Sequence, residues 1–185
     1  MKQIIETERL ILRNFHLSDA QAMFDHWASD DEATKFLTWQ PHQSVDTVIE
    51  HLEAILNQDQ ANGYFHWAIV EKSSNQLIGR IDIIDCNEAI KMKEIGYVLG
   101  KKWWHMGYMS EALNAVIAFL FTKTDTNRIE ATHDEENRFS GAVMSKAGML
   151  FEGVHQDRSR NNRGIVNQVM YGITKKQYLL RDIIG

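Results

Sequence analysis

The stretch EIGYVLGKKWWHMGYMSEA, Glu94–Ala112, carries most of the information about the fold. Its first part, EIGYVL, predicts a short strand that ends near Leu99, and apolar residues return at helical spacing from Ser110 onward. Gly107 lies at the junction, where a residue without a Cβ permits a positive φ or a close approach of the backbone to a ligand. The stretch therefore predicts a strand, a loop and the start of a helix.

The first amides of that helix, on Tyr108, Met109 and Ser110, predict an anion site. Because N–H groups in the first turn have no partner inside a helix, they and the helix dipole together suit a phosphate. The same arrangement is common in α/β proteins, so alone it is a weak indication. Neither G-x-x-x-x-G-K-[ST] nor G-x-G-x-x-G occurs in the chain, which disfavours an unrelated nucleotide-binding α/β protein.

Elsewhere the chain alternates between strand and helix patterns. Further strands are predicted at 8–13, 65–71, 76–84, 128–132, 149–157 and 165–174, the last two joined as a hairpin across the polar turn 159–164. Further helices are predicted at 18–29 with Ser18 as N-cap, from Ser44 onward, and at 138–147 with Gly148 as a left-handed C-cap. This order of elements predicts a mixed α/β (α+β) fold.

The 185 residues carry a net charge of −5 and a single cysteine. At roughly 150 residues per domain, the length predicts one domain over residues 1–185. The acidic balance disfavours a nucleic-acid partner, since duplex-binding proteins usually present a basic surface. No membrane partner is expected, because the longest apolar run, Ala115–Phe121, is far below the ~20 residues that span a bilayer. The lone Cys86, and Glu6 and Glu8 ahead of any long apolar run, predict a reducing, cytoplasmic location.

Two other polar features carry less functional weight. The eight histidines include neither H-E-x-x-H nor a Cys/His pair at metal-ligand spacing, so no metal site is expected. Arg158, Arg160 and Arg163 in QDRSRNNRG predict a basic hairpin tip. A solvated turn is the favoured interpretation of this tip, and contact with an acidic partner is the alternative.

Four segments together carry a family resemblance over nearly the whole chain, from Thr7 to Thr174. They are TERLILR, EIGYVL followed by WWHMGYMSEAL, NRFSGAVMSKAGMLFEG, and VMYGIT. In order and separation they resemble the GCN5-related N-acetyltransferases (GNAT), most closely the RimJ/RimL branch that acetylates the N-termini of ribosomal proteins. The resemblance implies the GNAT fold, with a central mixed and mostly antiparallel sheet of about seven strands flanked by about four helices.

The resemblance also implies a loop that holds the pyrophosphate of acetyl-coenzyme A. The family pattern R/Q-x-x-G-x-G/A places Trp104 at its first position, Gly107 at its centre and Met109 at its last. Trp104 replaces a polar side chain, which matters little if backbone amides bind the phosphates. Met109 replaces a small residue, and we expect its side chain to narrow the phosphate cradle.

Acetyl-coenzyme A is the cosubstrate that the family implies, without a metal. Its pantetheine arm is expected in a splay between the EIGYVL and RIEAT strands, with a bulge in the first strand exposing main-chain groups. Asn137 and Ser140 match the family's N-x-x-S segment, which holds the arm and lies near its sulfur. The expected cofactor-binding residues are Tyr97, Val98, Leu99, Trp104, His105, Met106, Gly107, Tyr108, Met109, Ser110, Asn137, Ser140 and Lys146.

Acetyl transfer from a thioester needs a deprotonated amine, a stabilised carbonyl oxygen and a leaving thiolate. Glu94 is the candidate general base, directly or through water, and a solvated or salt-bridged carboxylate is the alternative. Ser140 is the candidate proton donor to the thiolate, and a helix N-cap is the alternative. The amides of Val98 and Leu99 are candidate oxyanion donors. The tyrosine acid of many GNAT members is replaced by Met144.

Two functions from different classes remain open. The first is an N-acetyltransferase whose acceptor is a protein N-terminus, such as that of a ribosomal protein, or a small amine. The second is a catalytically silent acyl-coenzyme A binding module. Trp39 and Glu94 are the expected acceptor-binding residues, Trp39 because the first two helices border the acceptor site in this family and Glu94 as the candidate base. The chain is expected to be a monomer or a homodimer.

Overall fold

The computed structural model describes residues 4–57 and 64–184. Within these residues the chain forms one sheet of eight strands. The strands are β1 Ile5–Glu6, β2 Leu10–Arg13, β3 His66–Glu71, β4 Gln76–Asn87, β5 Met92–Leu99, β6 Arg128–Asp134, β7 Leu150–Asn161 and β8 Gly164–Thr174. The same residues form six α-helices, which are α1 Ala20–Met23, α2 Asp31–Thr34, α3 Val45–Asn57, α4 Tyr108–Lys123, α5 Arg138–Lys146 and α6 Lys175–Ile184.

The mixed α/β class is confirmed, and every predicted strand and helix has a counterpart. The pattern did not predict β1, α2 or α6. The first two span only two and four residues, too short to show a hydrophobic period. Gly148 has the expected positive φ of 75° at the end of α5. The Ser18 N-cap is wrong, because Ser18 lies inside a 3-10 turn, Leu17–Asp19, that precedes α1.

The sheet has the strand order β1-β2-β3-β4-β5-β6-β8-β7. Strands β5 and β6 pair in parallel, and the other neighbours pair antiparallel. One face, the α4 face, is covered by the apolar side of α4, where Leu113, Val116 and Leu120 are fully buried. Burying side chains of this size contributes ~1.5–3 kcal/mol each, so α4 is held firmly against the sheet.

The opposite face, the α3 face, is covered by α1 and α3. Met23, Val48 and Leu52 are fully buried there, together with Val98 of β5. Because side chains alternate along a strand, Glu94 and Gly96 lie on the same face as Val98, and Tyr97 lies on the α4 face. The strand that carries the candidate site therefore presents different residues to two different sets of helices.

Candidate active site

The two parallel strands separate halfway along their length. β5 pairs with β6 from Met92↔Arg128 to Ile95↔Ala131 and no further, although it continues to pair with β4 up to Leu99↔Gly79. Residues 96–99 therefore turn one edge of main-chain N–H and C=O groups toward a gap rather than toward β6. This gap is the splay that the family resemblance implied, and it can accept an extended, amide-containing chain.

The bulge beside this gap lies in β4 rather than in β5, which corrects the expectation. Ile84 is the extra residue, between Ile83↔Ile95 and Asp85↔Glu94, and β5 itself is regular. The Ile84 side chain crosses over Gly96, so that a Cβ on residue 96 would lie 3.0 Å from Ile84 Cγ2. The glycine in EIGYVL thus makes room for the bulge of the neighbouring strand.

Trp104 faces the strand instead of the phosphate loop. Its indole N–H donates to the Leu99 carbonyl at 2.8 Å. Leu99 therefore has its carbonyl already bonded within the protein. The Gly100 amide donates to the Ile78 carbonyl of β4, so by the alternation of an antiparallel pair Val98 also directs its main-chain groups at β4. Tyr97 and the Leu99 amide remain the main candidates for bonding a bound chain. The tryptophan at this position therefore has a local structural role, since its side chain hydrogen-bonds the last carbonyl of β5.

The loop after β5 has the geometry of an anion site. Gly107 has φ +80° and His105 has φ +62°, two left-handed residues on either side of Met106 that curve the chain sharply. The first hydrogen bond inside α4 runs from Glu111 N–H to the Gly107 carbonyl at 3.1 Å. The amides ahead of it, on residues 108–110, are those that a helix N-terminus leaves for a ligand.

Met109 does not narrow this loop, contrary to expectation. Its side chain is 5% exposed and packs into the core between α4 and the sheet, so the residue offers only its amide to a ligand. The Tyr108 side chain also turns away, and its hydroxyl donates to a Glu71 carboxylate oxygen. His105 instead contacts Phe139 of α5 with ring centroids 4.6 Å apart, and both residues are exposed.

Thr7 and Arg9, which lie between β1 and β2, hold the loop that precedes α4, a role that the sequence analysis did not predict. We call the contact between Arg9 and Glu111 the Arg9–Glu111 brace. Arg9 donates from Nε to Glu111 Oε2 at 2.7 Å and from Nη1 to the Met106 carbonyl at 3.0 Å. Thr7 donates its hydroxyl to the same Glu111 carboxylate. Burial alone raises the pKa of Glu111, but these hydrogen bonds outweigh it and the pKa is lowered. TERLILR and the glutamate of YMSEAL were both within the segments of resemblance, which was the available signal.

Asn137, and not Ser140, is the N-cap of α5. The Asn137 side-chain oxygen accepts from the Ser140 amide at 3.3 Å. This leaves the Ser140 hydroxyl available, and it donates to Tyr97 Oη at 3.0 Å. The N-cap interpretation of Ser140 is therefore wrong. Met144, at the position of the family's tyrosine, is 1% exposed in the core, and Lys146 is exposed in the last turn of α5, roughly 9 Å along the helix from Ser140.

Glu94 is half-buried beside the gap. It accepts a hydrogen bond from Thr132 Oγ at 3.1 Å, and Thr132 in turn accepts from Gln168 Nε2 at 3.0 Å. Burial is the main cause that raises the pKa of Glu94, with further raising by Glu130 and Asp85. Among the described residues Glu94 forms no ion pair within 4.0 Å. Burial therefore makes the Glu94 carboxylate a stronger proton acceptor than an exposed glutamate.

The β7–β8 hairpin tip is bonded to the protein rather than solvated throughout. Arg163 Nη1 lies 2.9 Å from Oδ2 of the buried Asp134, and Asn162 Nδ2 donates to the Thr34 and Trp39 carbonyls at 2.9 and 2.8 Å. The solvated interpretation is therefore wrong for Arg163, whereas Arg158 and Arg160 are exposed. The tip holds the loop that carries Trp39, whose ring packs near His42 and His51 on the α3 face.

The described residues were also compared with the requirements of a metal site and of a membrane-spanning helix. No group of three or more His, Cys, Asp or Glu residues within 4–57 and 64–184 is arranged to hold a metal ion. Among the helices in that part of the chain, none is long and apolar enough to cross a membrane.

The family model described as the acetyltransferase (GNAT) domain matches residues 9–150. The chain belongs to this family. The GNAT assignment explains why a β5–β6 gap and a glycine-containing turn at the start of α4 occur together in one chain. It also confirms the resemblance that the four sequence segments indicated, and with it the class of enzyme, an N-acetyltransferase.

Known GNAT proteins resemble the chain over almost its full length. An uncharacterized N-acetyltransferase, p20, of Bacillus licheniformis is 30% identical over 95% of this chain and 98% of its own. The ribosomal protein uS5 alanine N-acetyltransferase of Escherichia coli is 25% identical over 83% of this chain and 81% of its own. A solved ribosomal L7/L12 α-N-protein acetyltransferase in complex with coenzyme A shares the fold, with a TM-score of 0.83, 22% identity and coverage of 95% and 99%.

Proposed function

We propose that the chain transfers an acetyl group from acetyl-coenzyme A to a primary amine, by direct attack of the amine within a ternary complex. The observation that carries the proposal is the gap between β5 and β6, which leads from the unpaired edge of residues 96–99 to the N-terminus of α4 at Gly107. An extended thioester with a pyrophosphate at its far end matches these two features together.

The residues present fit such a cosubstrate. The amides of Tyr108, Met109 and Ser110 would bind its pyrophosphate, and the main-chain groups of Tyr97 would pair with its amide-containing arm. The bound cosubstrate supplies the activated acetyl group as a thioester. His105, Met106, Asn137 and Lys146 remain predicted contacts of the cosubstrate.

Glu94 is the proposed base that accepts the proton of the attacking ammonium group, directly or through water. The hydrogen bond from Thr132 fixes the orientation of its carboxylate, and the raised pKa brings its proton affinity closer to that of a catalytic base at neutral pH. Of the two candidate oxyanion donors, the Val98 amide is directed at β4, so the Leu99 amide, which faces the gap, is the proposed donor to the developing oxyanion.

Ser140 is the proposed proton donor to the departing thiolate. Asn137 satisfies the helix terminus, so the hydroxyl of Ser140 is not needed there and can exchange its bond to Tyr97 for one to the sulfur. The Ser140 hydroxyl would pass its proton to the thiolate sulfur as the carbon–sulfur bond breaks and take up a proton from water, so that the serine ends as a neutral hydroxyl. The pair with Tyr97 supports the orientation of the hydroxyl before transfer.

The acceptor is proposed to be a protein N-terminus, such as that of a ribosomal protein, or a small primary amine. The uS5 alanine N-acetyltransferase relative supports the first class at low identity. The net charge of −5 favours approach of a cationic amine of either class. Trp39 and Glu94 lie on the α3 face and are the proposed contacts of this acceptor.

Two measurements test the proposal in sequence. Saturating acetyl-coenzyme A should raise the melting temperature, because a ligand that binds only the folded state stabilises it. Release of the free thiol should then be observed with at least one member of a panel of N-terminal peptides and small amines. Absence of the thermal shift contradicts the whole proposal, and a shift without thiol release on any amine supports the silent binding module instead.

A further inference from the structure

On the α3 face, Trp39, already proposed as an acceptor contact, lies beside three residues that have no role in the steps above, His42, His51 and Arg80. We call these four residues the His51 cluster. The three aromatic rings form a triangle with centroid separations of 5.5, 6.3 and 5.7 Å. Arg80, in β4, is 8% exposed, and its guanidinium group contacts the ring of His51.

The contact with Arg80 determines which nitrogen of His51 carries the proton. Arg80 Nη1 lies 2.7 Å from His51 Nε2. A guanidinium group has donors and no acceptor, so Nε2 must present its lone pair and the proton must be on Nδ1. Burial, and then the charge of Arg80, lower the pKa of His51 to about 4, so the ring is neutral at pH 7.

Arg80 is itself fixed and cannot release His51 easily. Its Nε donates to Asp82 Oδ2 at 2.6 Å, and Asp82 Oδ1 lies 2.9 Å from His66 Nδ1. Asp82 is 5% exposed, and its pKa is lowered because the charge of Arg80 and the contact with His66 outweigh the effect of burial. The network therefore holds His51 in one tautomer and one orientation.

The N–H on Nδ1 is left as an open donor. Within residues 4–57 and 64–184 no group accepts a hydrogen bond from His51 Nδ1. The atom is not among the buried side-chain polar atoms without a partner in that part of the chain, so it is accessible from outside. His42, the neighbouring ring, already has Thr47 Oγ at 2.9 Å from its Nδ1.

The donor is on the same face as the proposed base. Arg80 pairs with Val98 and Asp82 pairs with Gly96, and both partners share a face of β5 with Glu94. Val98 and Glu94 are about 13 Å apart along the strand at ~3.3 Å per residue. Because Arg80 is directly opposite Val98, an amine placed between these two residues would lie on the face of the sheet from which the His51 cluster extends.

We propose that His51 Nδ1–H donates a hydrogen bond to an oxygen of the acceptor, a carbonyl or a carboxylate held at a fixed distance from the amine. The site would then select amines that carry such an oxygen over polyamines, which offer nitrogen groups alone. This inference deepens the proposed function and depends on it, because it names what the acceptor half of the same site recognises.

Two substitutions of His51 separate this role from a structural one. In His51→Gln, the side-chain oxygen occupies the place of Nε2 and accepts from Arg80, while the Nδ1 donor is lost. In His51→Asn, the side-chain amide occupies the place of Nδ1 and keeps the donor, while Arg80 loses its partner. We expect kcat/KM for an alanine tripeptide amide to fall about tenfold in His51→Gln and clearly less in His51→Asn.

The acceptor comparison is made on the wild-type enzyme. The tripeptide amide should have a higher kcat/KM than spermidine, a carbonyl-free polyamine of comparable length, and the ratio should fall in His51→Gln. A kcat/KM for spermidine equal to or above that of the tripeptide overturns the inference, as does a loss in His51→Asn equal to or greater than that in His51→Gln. Transfer to no amine at all contradicts the proposed function instead, and the thermal shift with acetyl-coenzyme A reports separately that the variants fold and bind the cosubstrate.

Discussion

Ser140 and Tyr97 are joined by two hydrogen bonds across the space between α5 and β5. The Ser140 hydroxyl donates to Tyr97 Oη at 3.0 Å, and the Tyr97 hydroxyl donates to the Ser140 carbonyl at 3.1 Å. Burial raises the pKa of Tyr97 far above its ordinary value, so the phenol stays protonated. The pair therefore fixes the rotamer of the serine that we propose as the proton donor, and connects the strand at the gap to the helix behind it.

The pair predicts coupled effects on turnover. Ser140→Ala should lower kcat by about 100-fold, in the range of a lost general acid, and Tyr97→Phe by about tenfold because the serine is no longer oriented. The double variant should be no slower than Ser140→Ala, since Tyr97 acts through that hydroxyl. Thiol release by the four proteins gives the coupling energy, and losses that simply multiply would show that Tyr97 acts independently of Ser140.

The Arg9–Glu111 brace predicts an effect on cosubstrate binding. Glu111→Gln keeps the shape of the side chain but weakens the bonds from Arg9 and Thr7, so the loop at Met106 is held less firmly. We expect the Kd for acetyl-coenzyme A, measured by calorimetry, to rise about fivefold, equivalent to ~1 kcal/mol. Lys101 lies in the segment between β5 and α4 and forms an exposed ion pair with Glu32 of α2. Lys101→Ala removes this pair and is the control, which should change the Kd by less than about twofold. Equal effects of the two variants would contradict the brace.

Gly107 predicts a cost that arises from backbone conformation rather than from crowding. A Cβ at this position would lie 3.5 Å from Arg9 Nη2, an ordinary contact, but φ is +80°. Gly107→Ala should therefore lower the free energy of unfolding by ~1–2 kcal/mol, and Gly107→Asn by less, because asparagine tolerates the left-handed region. Urea denaturation measures both values. An alanine variant as stable as the wild type would show that the turn rearranges without cost.

The raised pKa of Glu94 predicts a pH-dependent contribution to stability. Because the folded-state pKa lies above the ordinary value of 4.5, protonated Glu94 fits the fold better than the carboxylate does. The contribution is present below pH 4.5 and is lost as the pH rises through the folded-state pKa. Relative to Glu94→Gln, the wild type should therefore lose stability between pH 4.5 and the folded-state pKa, as followed by urea denaturation.

The same group predicts the pH profile of the reaction. In the wild type, kcat/KM should rise with pH as Glu94 loses its proton, with an inflection above the ordinary value of 4.5. Glu94→Gln should lower kcat by about 100-fold while the thermal shift with acetyl-coenzyme A is retained. A variant with unchanged turnover over the whole pH range would remove Glu94 from the mechanism, and a stability difference that does not vary with pH would contradict the raised pKa.

Local sequence patterns predicted the parts of the site that depend on a few neighbouring residues. The strand ending at Leu99, the left-handed turn at Gly107 and the helix beginning at Tyr108 follow from spacing and from a missing Cβ. The direction of the Met109 side chain did not follow, because the same residue can face a ligand or the core depending on how the helix is rotated on the sheet. The N-cap alternative for Ser140 was likewise wrong, because α5 begins at Arg138 and Asn137 is its N-cap.

The sequence by itself determined the order of the longer strands and of the helices α1, α3, α4 and α5, the glycine turn that opens α4, and the membership of the GNAT family. Tertiary structure alone decided which distant residues meet. Arg9 and Glu111 are 102 positions apart, Tyr97 and Ser140 are 43 apart, and His51 and Arg80 are 29 apart. Periodicity reports only which side of an element is apolar, whereas such pairs depend on strand register and on the packing of helices against the sheet. The cofactor half of the site therefore follows largely from local patterns, and the acceptor half follows from contacts that form only when the chain is folded.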